Sequence, residues 1–224
     1  PMVRFVKKTP LVDGGGLKNT LENKAPAFLD KKLGDYINEK GRKVFVTLGV
    51  DRWGLSKSFV EAGYEVIFGD LMFALGVPLA IKSLNGLRLL AKLMIPIVTR
   101  FPFEWLYPTG EKQDERVPKY EKYYQWATII AGDCHYVKSH MPDDMNGKII
   151  VTNTTTPADV ELFRSLGVKY LVTTTPVLDG RSFGTNMMEA ALVAVSGKER
   201  PLTWEEYDEI LDQLGFEPQI QELN

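Results

Sequence analysis

The chain has 224 residues, of which 27 are lysine or arginine and 29 are aspartate or glutamate, so its formal net charge is −2. This balance gives no general attraction to polyphosphate and argues against nucleic acid as a partner. Hydrophobic residues make up 44% of the chain, which is ordinary for a globular protein and argues against extensive disorder. The single cysteine, Cys134, has no partner for an internal disulfide, which favours a reducing, cytoplasmic location.

The first third of the chain alternates strand and helix patterns. The predicted elements are a strand over 9–12, a helical pattern to about Lys40 that Pro26 breaks or kinks, a strand over 43–48, a helix over 55–62 and a strand over 64–68. The run 43–48 (KVFVTL) is almost continuously apolar, as is typical of a buried parallel strand. Together the last three elements have the order and length of a βαβ unit.

Residues 71–127 interrupt this alternation and are predicted to form a helical and loop insertion. A helix is expected over 84–95, followed by an aromatic stretch from Phe101 to Tyr107. The apolar part of this region contains lysine and arginine, so a membrane span is rejected. The apolar helix and the aromatic stretch are consistent with a homodimer.

Alternation resumes after residue 127. Strands are predicted over 128–131, 148–151 and 170–172, and helices after Thr156, over 186–195 and after Thr203. Asn186 with Glu189, and Thr203 with Glu206, have the spacing of a capping box. The sequence therefore predicts an α/β, Rossmann-like, doubly wound and mainly parallel sheet of about six strands. This domain is predicted to span residues 1–200, and residues 201–224 are predicted to form an amphipathic C-terminal helix and tail.

The polar residues cluster just after the predicted strands. In a doubly wound sheet these positions share the carboxyl edge, where ligands bind. Loops are polar in any case, because threonine and glycine form turns, but fewer polar residues follow the helices. We therefore expect the site residues to converge in one cleft at this edge.

The turn after the strand 43–48 has part of a dinucleotide fingerprint. Gly49 and Gly54 match its first and third glycines, and Asp70 ends the next strand, where an acid accepts ribose hydroxyls. Asp51 replaces the middle glycine and would repel a pyrophosphate. The turn therefore predicts an NAD or NADP site, with a plain tight turn or an S-adenosylmethionine site as alternatives.

A second candidate is the loop 179–186, which precedes a helix. Free N–H groups at a helix N-terminus favour an anion, and the loop and its neighbours offer further donors. The residues predicted to hold an anion or substrate are Thr173, Thr174, Arg181, Ser182, Gly184 and Thr185. The alternative is a glycine-rich loop with helix-capping hydroxyls.

Proton transfer is assigned to His135, with Asp133 beside it and Lys18 after the glycines 14–16 as further candidates. A hydrogen-bonded structural histidine and a solvated lysine are the plainer interpretations. No metal is expected, because one cysteine and two histidines lack zinc-ligand spacing. No Gly-x-Ser-x-Gly elbow is present, which disfavours a serine hydrolase.

Several strings along the chain resemble a bacterial family labelled quinate or shikimate 5-dehydrogenase. They are TPLVDGGGLKNTLE (9–22), GDLMFALGVP (69–78), WLYPTGEKQ (105–113), IIAGDCHYVK (129–138), VTNTTTPADVELFRSLGV (151–168) and LVTTTPVLDGRSFGTNMMEAALVA (171–194). The resemblance implies oxidation of a ring hydroxyl of a polyhydroxy acid, with hydride transfer to NAD or NADP. It also implies that this chain corresponds to the C-terminal portion of such proteins.

Three functions follow as hypotheses. The first is an NAD(P)-dependent oxidoreductase of a small polyhydroxy acid. The second is a non-catalytic protein that binds a nucleotide or an anionic metabolite, and the third is an S-adenosylmethionine-dependent methyltransferase. In each case the partner is a small molecule.

Overall fold

The computed structural model describes residues 6, 8–100, 116–178, 181–182 and 184–224. Its helices are α1 (Gly15–Asn23), α2 (Ala25–Lys40), α3 (Trp53–Glu61), α4 (Asp70–Leu75), α5 (Leu84–Val98), α6 (Glu121–Trp126), α7 (Cys134–His140), α8 (Pro157–Ser165), α9 (Thr185–Ser196) and α10 (Trp204–Gln213). Its strands are β1 (Lys43–Val46), β2 (Glu65–Phe68), β3 (Ile129–Ala131), β4 (Ile149–Thr152), β5 (Tyr170–Thr173), β6 (Val177–Leu178), β7 (Arg181–Ser182) and β8 (Gln219–Glu222).

Six strands form one sheet in the order β2-β1-β3-β4-β5-β8. All neighbours are parallel except β8, which runs antiparallel to β5 and pairs Val172 with Ile220. The strand order reverses between β1 and β3, so the topological switch point lies there. The predicted α/β, Rossmann-like, doubly wound and mainly parallel sheet of six strands is confirmed.

Each face of the sheet is covered by helices, because side chains of a strand alternate between the two faces. Val44 and Val46 of β1 point to the face covered by α2, α3 and α5. Phe45, between them, points to the face covered by α4, α6, α7 and α8. The apolar run in each central strand is thus explained by burial on both sides.

Helices α1, α9 and α10 form a third, smaller apolar cluster beside the sheet. Leu17 and Leu21 of α1 pack with Val193 of α9 and with Tyr207 and Leu211 of α10. This cluster holds the N-terminus of α1 beside the N-terminus of α9, and both lie near the carboxyl edge of the sheet.

Two predicted elements differ from the structure. Residues 9–12 form no strand, and the sixth strand of the sheet is instead β8, from the tail that the sequence treated separately. Asn186 does not cap its helix, because α9 begins at Thr185 with Gly184 as the N-cap residue and Asn186 therefore lies inside the first turn. The Glu189 carboxylate is bonded to α1 and α10.

The other local predictions agree with the structure. The predicted break at Pro26 falls at Lys24, between α1 and α2, and the capping box of Thr203 with Glu206 is formed. Thr156 and Asp159 form a second capping box at the start of α8.

The insertion 71–127 contains most of α4 and all of α5 and α6. Its aromatic stretch from Phe101 to Tyr107 lies outside the described residues. On α5, Leu89 and Leu93 are exposed. In the parts of the chain that the structure describes, none of the helices has both the length and the apolar character needed to cross a membrane.

Candidate functional site

Two separate cavities lie at the carboxyl edge of the sheet. The first, which we call the His135 cavity, has a volume of about 490 Å³ and follows β3 and β4. It is lined by Cys134, His135, Lys138, Thr154, Thr155, Thr156, Ala158, Asp159, Ser182, Gly184 and Met187. Its size suits a small metabolite.

His135 enters this cavity from the first turn of α7. Asp133 caps that helix, and its Oδ1 accepts the backbone N–H of His135 at 3.0 Å. Nδ1 of His135 is buried and has no hydrogen-bond partner among the described residues. Burial raises the pKa of the neighbouring Cys134 thiol well above its usual range, so this cysteine is a poor nucleophile near neutral pH.

A second wall is formed by Asp159 of α8, which pairs with Lys138 of α7, the helix that also carries His135. Lys138 Nζ lies 2.9 Å from Asp159 Oδ1, and Asp159 Oδ2 accepts the N–H and the hydroxyl of Thr156. Burial by itself raises the pKa of Asp159, but the bonds from Thr156 and Lys138 outweigh it and lower the pKa. Asp159 therefore remains ionised at neutral pH and fixes Lys138 beside the cavity.

The third wall comes from the β6–β7 hairpin and the start of α9. Ser182 bonds to the backbone N–H and carbonyl of Thr155, which fixes the hairpin over the end of β4. Gly184 is the N-cap residue of α9 and Met187 lies in its first turn, which has no acidic residue. The side chain of Arg181 and residues 179, 180 and 183 of the predicted anion loop lie outside the part that the structure describes.

The remaining residues of the predicted anion site are buried around this cavity and do not line it. Thr173 and Thr174 are each 1% exposed at the end of β5, and Thr185 is 8% exposed. The Thr174 N–H bonds to the carbonyl of Thr152, which continues the sheet pairing. The Thr173 hydroxyl is buried with no partner among the described residues.

The second cavity, which we call the Asp70 cavity, follows β1 and β2 and has a volume of about 390 Å³. It is lined by Leu48, Val50, Asp51, Asp70, Ala74, Leu75, Leu90, Ala91, Met94 and Ile95. It shares no lining residue with the His135 cavity. Its walls are apolar apart from the two aspartates.

Asp70 holds the turn after β1. Its Oδ2 accepts the N–H of Gly49 at 2.8 Å, and its Oδ1 accepts the N–H of Val50 at 2.9 Å. Burial raises the pKa of Asp70 above its usual value, although these two bonds oppose the change. The N–H groups that a dinucleotide pyrophosphate would use are therefore occupied by the protein's own carboxylate.

The topological switch point between the cavities is filled by Arg52. Its guanidinium bonds to Glu22 at 3.0 Å and to Asp133 at 2.7 Å, and only 3% of the residue is exposed. Burial alone lowers the pKa of Arg52, but the charges of Glu22, Asp133 and Asp51 outweigh it and raise the pKa. Arg52 and its two carboxylate partners divide the predicted single cleft into two cavities.

Lys18 and Gly54 lie beside this network, not in the His135 cavity. Lys18 Nζ bonds to the Asp51 carbonyl at 2.8 Å and contacts its Oδ2 at 3.2 Å. A Cβ on Gly54 would lie 2.9 Å from Glu22, whose carboxylate accepts the N–H of Leu55 near the start of α3. The anion position at this helix is thus taken by an internal glutamate.

The glycine loop before α1 is occupied in the same way. Glu189 accepts the N–H groups of Gly14 and Leu17 and the hydroxyl of Tyr207, at 2.5, 3.2 and 2.7 Å. A Cβ on Gly16 would lie 2.8 Å from Glu189, so glycine permits this close approach. The loop binds a carboxylate of its own chain.

The structure therefore brings His135, Ser182 and Gly184 together, with Asp133 behind them. It places Asp51 and Asp70 in the other cavity, with Gly49 and Gly54 in the adjoining turn. Lys138 is not among the residues predicted from the sequence, although its position one helical turn after His135 is a usable signal. The roles of Glu22 and Glu189 are not predicted either, because their partners are distant in the sequence. Among the described residues, no group of three or more histidine, cysteine or acidic side chains is arranged to hold a metal.

These features define an α/β protein of the doubly wound class with two cavities at the carboxyl edge of its sheet. The chain belongs to the family described as a domain of unknown function (DUF8754), whose model matches residues 16–223. No curated protein matches it.

One solved structure is similar in outline, and its title is "Crystal structure of a galactofuranose binding protein". The similarity has a TM-score of 0.34 at 13% sequence identity. It covers 93% of this chain, which spans 66% of the length of that protein.

Proposed function

We propose that this protein binds a small, hydroxylated carboxylic acid in the His135 cavity. The observation that carries the proposal is the set of donors that meet there: the uncapped start of α9, Lys138, His135 and the hydroxyls of Thr154 and Thr155. Backbone N–H groups at a helix N-terminus favour an anion, and hydroxyls suit a polyol.

Internal groups satisfy several of the other helix starts. Glu189 serves α1, Glu22 serves α3, Asp133 serves α7, and capping boxes serve α8 and α10. At α9 no side chain of the described residues plays this part. A ligand carboxylate is therefore the natural partner for its first N–H groups.

Quinate and shikimate are suitable first probes, since each is a hydroxylated ring acid. Their binding is measured by ¹⁵N NMR, with cyclohexanecarboxylate as the matched acid that lacks hydroxyls. We expect quinate or shikimate to shift resonances around 134–138, 154–159 and 184–187, and to bind more tightly than cyclohexanecarboxylate.

Met187→Trp fills the mouth of the cavity and should abolish this binding. Val195→Trp on the same helix is the control, because Val195 is 88% exposed and does not line the cavity. Equal binding to Met187→Trp and the wild type, or the absence of shifts with all three acids, would contradict the proposal.

An NAD(P)-dependent oxidoreductase of such an acid is the second candidate. The observation that favours it is the position of the Asp70 cavity beside the turn 49–54, where a doubly wound fold receives the adenosine of a dinucleotide. His135 would then remove the hydroxyl proton while hydride passes to the nicotinamide. This function is the second candidate because the N–H groups of Gly49 and Val50, which a pyrophosphate would need, are already bonded to Asp70.

Titration with NAD, NADP and S-adenosylmethionine separates the remaining functions. Binding of NAD or NADP with turnover of quinate or shikimate supports the oxidoreductase. Binding of S-adenosylmethionine alone supports the methyltransferase, and binding of the acid without any of the three supports the non-catalytic protein.

A further inference from the structure

The Asp70 cavity has a chemistry that differs from that of the His135 cavity. Eight of its ten lining residues are apolar, and they come from the turn after β1 and from α4 and α5. Helix α5 supplies Leu90, Ala91, Met94 and Ile95 as one wall. Such a wall favours an apolar body of a ligand, because burial removes that body from water.

Among the described residues, the charged side chains that line the polar end of the cavity are the carboxylates of Asp51 and Asp70. Both oxygens of Asp70 accept backbone N–H groups, whereas Asp51 has a side chain that is 56% exposed. Lys18 and Arg52 contact Asp51 through Oδ2, and Oδ1 accepts no hydrogen bond from the described residues.

The charges at this end of the cavity are not compensated equally. Lys18 and Arg52 pair with Asp51, whereas Asp70 accepts only backbone N–H groups from the described residues. Burial raises the pKa of Asp70, and the nearby charge of Asp51 adds to this effect. A cation at this end of the cavity would relieve the repulsion, and an anion would increase it.

We propose that the Asp70 cavity binds an apolar organic cation, with the apolar body against α5 and the ammonium group on the Asp51 carboxylate. The ligand is therefore of the opposite charge to the acid proposed for the His135 cavity. Since the two cavities share no lining residue, either proposal can fail without the other.

Three probes of matched size test the charge preference: phenylbutylamine, phenylbutanol and phenylbutyrate. Their dissociation constants are measured by ¹⁵N NMR at neutral pH. We expect the amine to bind at least about tenfold more tightly than the carboxylate, which corresponds to ~1.4 kcal/mol, with the alcohol between them. The shifts should fall around 48–51, 70–75 and 90–95.

Two variants test the site. Asp51→Asn should weaken binding of the amine severalfold and leave the alcohol unchanged, whereas Asp35→Asn, at an exposed position on α2, should change neither. Ala91→Phe fills the cavity and should abolish binding of all three probes. Leu89→Phe, on the exposed side of α5, is the matched control for folding.

Equal or tighter binding of the carboxylate would overturn the proposal. So would an Asp51→Asn variant with unchanged amine affinity, shifts confined to the His135 cavity, or the absence of binding by every probe. A folded Ala91→Phe variant that keeps its amine affinity would place the ligand elsewhere and have the same consequence.

Discussion

Replacement of Glu189 by glutamine tests how α1 is attached to the rest of the molecule. The Glu189 carboxylate is buried and accepts hydrogen bonds from Gly14, Leu17 and Tyr207, which belong to the start of α1 and to α10. Glu189→Gln keeps the shape of the side chain but removes its charge and one acceptor oxygen. The glutamine amide group would then face one of these donors.

The size of the effect follows from the number and type of bonds. A hydrogen bond to a charged group contributes about 1.5–3 kcal/mol to stability. Glutamine loses one such bond and converts the others to weaker, neutral ones. We therefore expect Glu189→Gln to lower the free energy of unfolding by about 2–4 kcal/mol and the melting temperature by about 5–15 °C.

Urea denaturation followed by circular dichroism at neutral pH measures this loss. Glu199→Gln, at an exposed position between α9 and α10, is the matched control and should stay within ~0.5 kcal/mol of the wild type. A Glu189→Gln variant equally close to the wild type would refute the reasoning, because the carboxylate would then not hold the three elements together.

Two further predictions concern the carboxyl edge of the sheet. Burial raises the pKa of Asp70 from 3.8, so the stability that this group contributes is fully present below about pH 4 and is lost as the pH rises through its folded-state pKa. The loss of unfolding free energy in Asp70→Asn relative to the wild type should thus be larger near pH ~3.5 than near pH ~7. Urea titrations at the two pH values measure it, and an equal loss at both would contradict the prediction. Gly132 has φ 155°, and an added Cβ would lie 2.1 Å from the Thr47 hydroxyl oxygen, which is buried with no partner among the described residues. Gly132→Ala should therefore lower the free energy of unfolding by about 1–3 kcal/mol, and the additional change Thr47→Ala should recover part of this loss. Thermal melts of the single and double variants measure both effects. No recovery in the double variant would show that the loss comes from the backbone angle.

The network around Arg52 explains why one edge of the sheet holds two cavities. A buried arginine is tolerated only where carboxylates compensate it, and here Glu22 and Asp133 do so from two different elements. Arg52 and these two carboxylates occupy the crevice that the strand reversal between β1 and β3 would otherwise leave open. The carboxyl edge is thereby divided into the His135 cavity and the Asp70 cavity.

The sequence by itself determined the central strands and most of the helices. Apolar runs such as 43–48 are buried on both faces of a parallel sheet, so their composition alone marks them as central strands. Thr156 and Thr203 cap their helices through partners three residues away, and such local contacts are encoded by spacing. The placement of polar residues after the strands is determined in the same way, by chain order within a parallel sheet.

The tertiary structure alone decided which of these polar groups are bonded internally and which face a cavity. Glu189 bonds to Gly14 across 175 positions, and Arg52 to Asp133 across 81, so no local pattern distinguishes them from solvent-exposed charges. The edge strand β8 could not be predicted from the sequence either, because QIQE has little apolar character and becomes a strand by pairing with β5. Hydrogen bonding and charge compensation depend on distances between remote segments, and only the folded chain sets these.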